Sequence, residues 1–147
     1  MSKRRSLSDY VKSINKVPLG HPKSLRNMLY NALRANSFSS FWRYWNPIWS
    51  YYLRYFVYRP LRTIFPEKVA IIATFLVSGS IHDIAVLLIT GQRSIIITLW
   101  FSIMAFVVVL EDYAKISLKK CSFALKALIY LVVISVCYVL ARLLLTL

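Results

Sequence analysis

Negative charge is scarce in this chain. Its 147 residues include 5 Asp and Glu against 19 Lys and Arg, a formal net charge of +14, and charged residues make up 16% of the total. A typical globular domain is about 25% charged and roughly 45–50% apolar, whereas 59% of this chain is hydrophobic. That balance argues against an ordinary soluble domain and indicates a membrane protein.

Cysteine is also scarce, and an N-terminal apolar leader is lacking. Cys121 and Cys137 do not have the spacing of metal ligands, so we expect no metal site and interpret both as small hydrophobic residues. The first residues are polar and basic, which predicts no signal peptide.

The positive charge is concentrated in one half of the chain. Residues 1–68 hold 13 of the 19 Lys and Arg, with Asp9 and Glu67 as their acidic residues. Basic segments beside apolar spans stay on the cytoplasmic side, so the N-terminus is predicted to be cytoplasmic. The same rule accounts for the excess of positive charge, so we expect no nucleic-acid partner. The expected effect of the charge is attraction to anionic lipid headgroups.

Two short helices are predicted in the basic region 1–37. Ser6 and Asp9 form a capping box that begins a helix reaching about Lys16, and the Pro and Gly residues at 18–22 then interrupt the chain. From Ser24 an apolar stripe predicts an amphipathic helix at the membrane interface. The stripe consists of Leu25, Met28, Leu29, Ala32 and Leu33.

Residues 41–58 are rich in Trp, Tyr and Arg. Aromatic rings with polar tips prefer the headgroup level, and Arg extends its charge from there. We predict an interfacial or re-entrant helix that ends at Pro60; a simple anchoring belt of aromatic residues is the alternative.

Three transmembrane spans are predicted after this segment. They cover about 68–90, 94–110 and 123–147, with a tight connection at 91–93 and a polar, basic loop at 111–122. The fold class is therefore an all-α integral membrane protein, in which three spans follow interfacial amphipathic and aromatic-rich helices. We divide it into regions 1–37, 38–90 (including the first span) and 91–147.

His82 is the one histidine in the first apolar run, and Asp83 follows it directly. Ionisable side chains inside a bilayer are expensive and usually functional. At about 1.5 Å per residue, His82 lies roughly 21 Å along the span from Lys68, beyond the midplane unless the helix tilts or breaks at Gly79. Two structural alternatives stay open: His82 and Asp83 satisfy each other or neighbouring helices, and the small residues at 78–80 allow close helix packing.

Four short elements occur in order along residues 38–90. They are Phe41-Trp42-Arg43-Tyr44-Trp45-Asn46, Tyr52-Leu53-Arg54, Tyr58-Arg59-Pro60-Leu61 and Val77-Ser78-Gly79-Ser80-Ile81-His82-Asp83. Together they resemble the membrane-bound O-acyltransferase family. The resemblance implies transfer of an acyl group from a thioester, commonly acyl-CoA, to a hydroxyl group of unknown class.

The resemblance also implies roles for particular residues. His82 matches the family's catalytic histidine, a general base for the acceptor hydroxyl, and Asn46 matches the second signature residue, which positions substrate. Trp45 and Asp83 would support them. Charge alone, without a motif match, suggests that CoA phosphates are contacted by Arg43, Arg54, Arg59 and Arg62. Acyl-CoA is thus expected as co-substrate, with no permanently bound cofactor.

The predicted span count departs from the family pattern, in which many helices enclose the histidine. A homo-oligomer or a second membrane subunit is the expected means of completing the site. The opening with Met1 and a predicted capped helix favours a naturally short member of the family, and a truncated remnant is the alternative. The alternatives are a catalytically inactive or accessory subunit, and a basic membrane-surface anchor.

Overall fold

A computed structural model describes residues 4–146. Within that range every regular element is a helix: α1 (Leu7–Asn15), α2 (Ser24–Leu33), α3 (Phe38–Tyr44), α4 (Pro47–Tyr52), a π-helical segment (Leu53–Tyr58), α5 (Arg59–Ile64), α6 (Glu67–Thr90), α7 (Ile96–Ala114) and α8 (Phe123–Leu144). The predicted all-α fold class is confirmed.

Three helices are long and apolar enough to cross a membrane, namely α6, α7 and α8. The first matches its predicted bounds and runs unbroken through Gly79. The second was predicted too short, because the acidic residues at 111–112 prolong α7 by a turn instead of opening the loop. The third ends at Leu144, and Leu147 lies outside the described residues.

The two N-terminal helices form where the local signals place them. Ser6 caps α1 by accepting the backbone N–H of Asp9 at 3.1 Å, and its hydroxyl donates to the Asp9 carboxylate at 2.7 Å. The helix ends at Asn15, with Lys16 in the left-handed conformation. α2 begins at Ser24 as predicted.

The prediction of one interfacial helix ending at Pro60 is wrong in two respects. The chain breaks at Trp45 and Asn46, between α3 and α4. From Pro47 it then continues helically to Ile64, passing through Pro60. A proline within an α-helix clashes with the carbonyl one turn earlier, and the wider π-helical turns at 53–58 precede Pro60 here. Such π turns often occur at functional sites.

The N-terminal helices pack against the spans as well as preceding them. α3 contacts α7, and α2 contacts α8. Phe38 and Phe41 of α3 are buried in one cluster with Met104 of α7 and Tyr130 of α8. The Tyr130 hydroxyl donates to the Ala35 carbonyl at 2.7 Å. The aromatic segment is therefore held against one side of the membrane bundle, which fixes its position relative to α6.

α6 and α7 form the tightest helix pair. A Cβ added to Gly79 would lie 2.6 Å from the Thr98 Cα, so the two backbones meet where only glycine fits. This confirms a packing role for the small residues near position 79. It also fixes which face of α6 turns toward α7.

Candidate functional site

A cleft of about 470 Å³ lies between the aromatic segment and α6. α6 contributes one face to it, ordered from its beginning toward its middle as Glu67, Ile71, Thr74, Phe75, Ser78 and His82. The separation of Glu67 and His82 is 15 residues, or ~22 Å along the helix axis. The cleft thus runs from the start of α6 to His82.

Several of the predicted site residues meet in this cleft. His82, Asn46, Trp45, Arg43 and Arg54 all line it. Two segments 36 residues apart in sequence are therefore brought to one cavity. His82 is exposed within this chain, so part of its surface is not covered by the other described residues.

His82 is held in a defined orientation. Its Nδ1 lies 2.6 Å from the Ser78 carbonyl oxygen, one turn earlier on α6. Because a carbonyl oxygen can only accept, Nδ1 must carry the proton, and in the neutral ring Nε2 keeps its lone pair. The ring packs edge-to-face against Trp49, with centroids 5.5 Å apart, and lies tilted against Phe101 at 5.3 Å. The arrangement presents Nε2 as a proton acceptor.

Asn46 lies at the break between α3 and α4. Its backbone is left-handed (φ 42°), a conformation that Asn tolerates better than most residues. Its Oδ1 caps α4 by accepting the Trp49 backbone N–H at 3.2 Å. Among the described residues, its Nδ2 group has no hydrogen-bond acceptor. Asn46 therefore has both a structural role and a donor left for a ligand.

Trp49 connects the two motif residues, although no sequence motif assigns it a role. Asn46 caps its backbone, and its indole N–H donates to the Ser78 hydroxyl at 2.9 Å. The backbone carbonyl of Ser78 in turn accepts the hydrogen bond from His82 Nδ1. The signal in the sequence was its position, three residues after a capping Asn, where α4 fixes it.

Trp42 is a second residue of the cleft to which the sequence motifs assign no individual role. It lines the cleft between Phe75 and Phe101, with ring centroids at 5.5 and 5.9 Å. Its indole Nε1 is buried and has no hydrogen-bond partner among the described residues. A buried donor without a partner is costly, about 1–3 kcal/mol, which makes this N–H a candidate ligand contact.

Asp83 does not serve His82 directly. Its two carboxylate oxygens accept the N–H groups of Ile97 and Thr98 at 3.1 and 2.7 Å, and the Thr98 hydroxyl at 2.6 Å. These are unsatisfied donors at the beginning of α7, where a negative charge is favourable. Asp83 is 6% exposed. The adjacent acidic residue of the motif thus joins α6 to α7 and positions His82 only through that packing.

The four predicted arginines separate into two groups. Arg43 and Arg54 line the cleft. Arg59 stacks over the Tyr55 ring at 4.4 Å, and Arg62 donates to the Phe65 carbonyl at 3.1 Å. Neither Arg59 nor Arg62 is among the lining residues. Burial raises the pKa of the neighbouring Tyr10, an effect only partly opposed by Arg54, so Tyr10 keeps its proton at neutral pH.

Comparison with known proteins gives one match. A family model described as MBOAT, membrane-bound O-acyltransferase family, matches residues 22–140. No curated protein and no solved structure matches. The matched range includes the whole cleft except Tyr10.

Proposed function

This chain belongs to the membrane-bound O-acyltransferase family, and from that premise we propose that it transfers an acyl group from acyl-CoA to a hydroxyl acceptor. It is an integral membrane protein with three candidate spans. The observation that carries the proposal is the convergence of His82 and Asn46 on one cleft.

The proposed reaction begins with the acceptor hydroxyl at His82. Nε2 takes the hydroxyl proton as the oxygen attacks the thioester carbonyl carbon, with Nδ1 held by the Ser78 carbonyl. When the tetrahedral intermediate collapses, the C–S bond breaks and the proton on Nε2 passes to the departing thiolate. The products are an ester and free CoA, and His82 returns to its starting state.

Donors at the cleft wall would stabilise the charge that develops on the carbonyl oxygen. The Nδ2 group of Asn46 and the Nε1 group of Trp42 both belong to lining residues and have no protein acceptor among residues 4–146. Donors that are in place before the reaction lower the barrier because they need no reorganisation. We propose that one or both contact the thioester carbonyl or the acceptor.

The length of the cleft fits a donor with a charged head and a distant thioester. Arg43 and Arg54 line this cleft, and its α6 face extends ~22 Å from Glu67 to His82. Arg binds phosphate oxygens with matched geometry. We propose that these two arginines, rather than Arg59 and Arg62, contact the CoA phosphates, on the side that the basic N-terminal region makes cytoplasmic.

The test is acyl transfer in membranes that contain this chain alone. Radiolabelled acetyl-CoA and oleoyl-CoA serve as donors, and label in lipid and in other membrane acceptors is counted separately. We expect His82→Ala to abolish transfer, with His21→Ala as the matched control outside the cleft. Transfer that survives His82→Ala would overturn the proposed base. A folded but inactive wild-type chain would favour an accessory subunit.

A further inference from the structure

A second cleft, of about 600 Å³, lies between α1, α2, α3 and the first turn of α8. Four of its lining residues are cationic: Lys16, Arg34, Arg43 and Lys126. No Asp or Glu of the described part of the chain lines it. It is a separate cavity from the one that holds His82, although Arg43 lies in the wall of both.

Lys126 makes this cleft more than a basic surface. Its side chain is 8% exposed, and its Nζ donates to the Asn36 Oδ1 at 2.7 Å and to the Arg34 carbonyl at 3.4 Å. Both acceptors are neutral. A buried charge is costly unless a counter-charge accompanies it. Glu111, at the same end of the bundle, accepts the Phe38 and Ser39 N–H groups instead.

The position and rim of the cleft suit an amphipathic ligand. Lys126 is the fourth residue of α8, ~4.5 Å along the helix from its first residue and so at headgroup depth. Tyr30 and Phe123 stack at 5.7 Å beside the cations and stay exposed, at 52% and 47%. An apolar pair beside a cationic cavity matches a phosphate group joined to a glycerol and acyl chains better than a free anion.

We propose that this second cleft binds the phosphate headgroup of an anionic membrane lipid, with Lys126 as the central contact and Arg34 and Lys16 around it. Basic pockets beside transmembrane helices bind such headgroups, and Lys126 belongs to the first turn of a candidate span. The site does not depend on the proposed acyl transfer.

Thermal unfolding of the full chain in detergent tests this proposal. The chain is titrated with dihexanoyl phosphatidic acid, with dihexanoyl phosphatidylcholine as the matched zwitterionic lipid and inorganic phosphate as the soluble source. A ligand that binds only the folded state raises the unfolding temperature. We expect phosphatidic acid to raise it and phosphatidylcholine to leave it unchanged at equal concentration.

Two variants and a control localise the effect. Lys126→Gln is expected to weaken phosphatidic acid binding at least about tenfold, because a charge-assisted hydrogen bond is lost. Arg34→Gln is expected to weaken phosphatidic acid binding about fivefold. Because Arg34 is exposed, this variant should fold and keeps the test possible if Lys126→Gln does not fold. Lys120→Gln removes the same charge outside the cleft and is expected to change binding by about twofold or less.

Each outcome decides the proposal. Stabilisation by phosphatidic acid that both cleft variants reduce and the control does not would support it. Equal stabilisation by inorganic phosphate would assign the cleft to soluble phosphate and would overturn the proposal that it binds a lipid headgroup. No stabilisation by phosphatidic acid, or equal affinity in Arg34→Gln and wild type, would overturn the site.

Discussion

Asn46 combines three properties that substitutions can separate. Its left-handed backbone (φ 42°) disfavours most side chains, its Oδ1 caps α4, and its Nδ2 donor has no hydrogen-bond acceptor among the described residues. Asp keeps the capping oxygen and tolerates the backbone, but it lacks the donor. Gly tolerates the backbone but lacks both side-chain groups. Ala lacks both groups and also strains the backbone.

The stability of these variants follows from the structure. Loss of the cap to Ala costs about 1 kcal/mol and the left-handed backbone about 1–2 kcal/mol more. Replacement by Gly costs a few tenths of a kcal/mol. At about 3 °C per kcal/mol for a chain of this size, Asn46→Ala should unfold roughly 6–9 °C below wild type. Asn46→Asp and Asn46→Gly should unfold within about 2 °C of it.

Activity separates the donor from the cap. If Nδ2 contacts the reacting carbonyl, Asn46→Asp should keep its unfolding temperature and lose about 10²–10³-fold in acyl transfer. The assay is thermal unfolding in detergent together with labelled acyl-CoA transfer in membranes. Wild-type transfer by Asn46→Asp would refute the donor role and leave Asn46 as a helix cap alone.

Three further substitutions test the walls of the cleft. Trp42→Phe should change the free energy of unfolding by no more than about 1 kcal/mol, because the buried donor that it removes is unpaired, yet it should reduce acyl transfer. Unchanged transfer kinetics would exclude the indole N–H as a ligand contact. Asp83→Ala should lower the free energy of unfolding by about 2–4 kcal/mol, because the Ile97 and Thr98 N–H groups at the beginning of α7 lose their acceptor. Asp112→Ala should not lower it, since the Asp112 side chain is 75% exposed. Equal melting curves for the two variants would contradict the capping role. Gly79→Ala gains up to about 1 kcal/mol of helix propensity but should lose more, about 1–3 kcal/mol, to the α7 contact. A stabilised Gly79→Ala variant in thermal unfolding would show that α6 and α7 are not in tight contact.

The spans could be predicted from the sequence because their signal is local. Length and apolar composition define α6, and the structure gives the same bounds to within one residue. The end of α7 could not be predicted so well, since Glu111 reads as a loop residue. Its carboxylate is engaged instead by the N–H groups that begin α3, a contact 72–73 residues apart in sequence.

The candidate site could be predicted only in part. The ordered motifs led to His82 and Asn46, and the cleft contains both. The adjacent pair at 82–83 suggested mutual support, but neighbouring residues of a helix point about 100° apart. Asp83 consequently meets α7. The link through Trp49 depends on a tertiary hydrogen bond to Ser78, which no sequence pattern reveals.

Charge patterns gave the least specific predictions. The sequence could not distinguish among the arginines at 43, 54, 59 and 62 as phosphate contacts. Which of these side chains face a common cavity depends on how the helices of the segment are placed. The break at 45–46 and the π turns at 53–58 set which side chains reach the cleft. Arg43 and Arg54 do so, and the other two do not.

The central claim is that His82 acts as the base for acyl transfer in this chain. The most direct test compares wild type, His82→Ala and His21→Ala in membranes at equal expression, with labelled acyl-CoA as donor. The account predicts transfer by wild type and His21→Ala and a loss of at least about 10²-fold in His82→Ala. Equal transfer by all three proteins would contradict it.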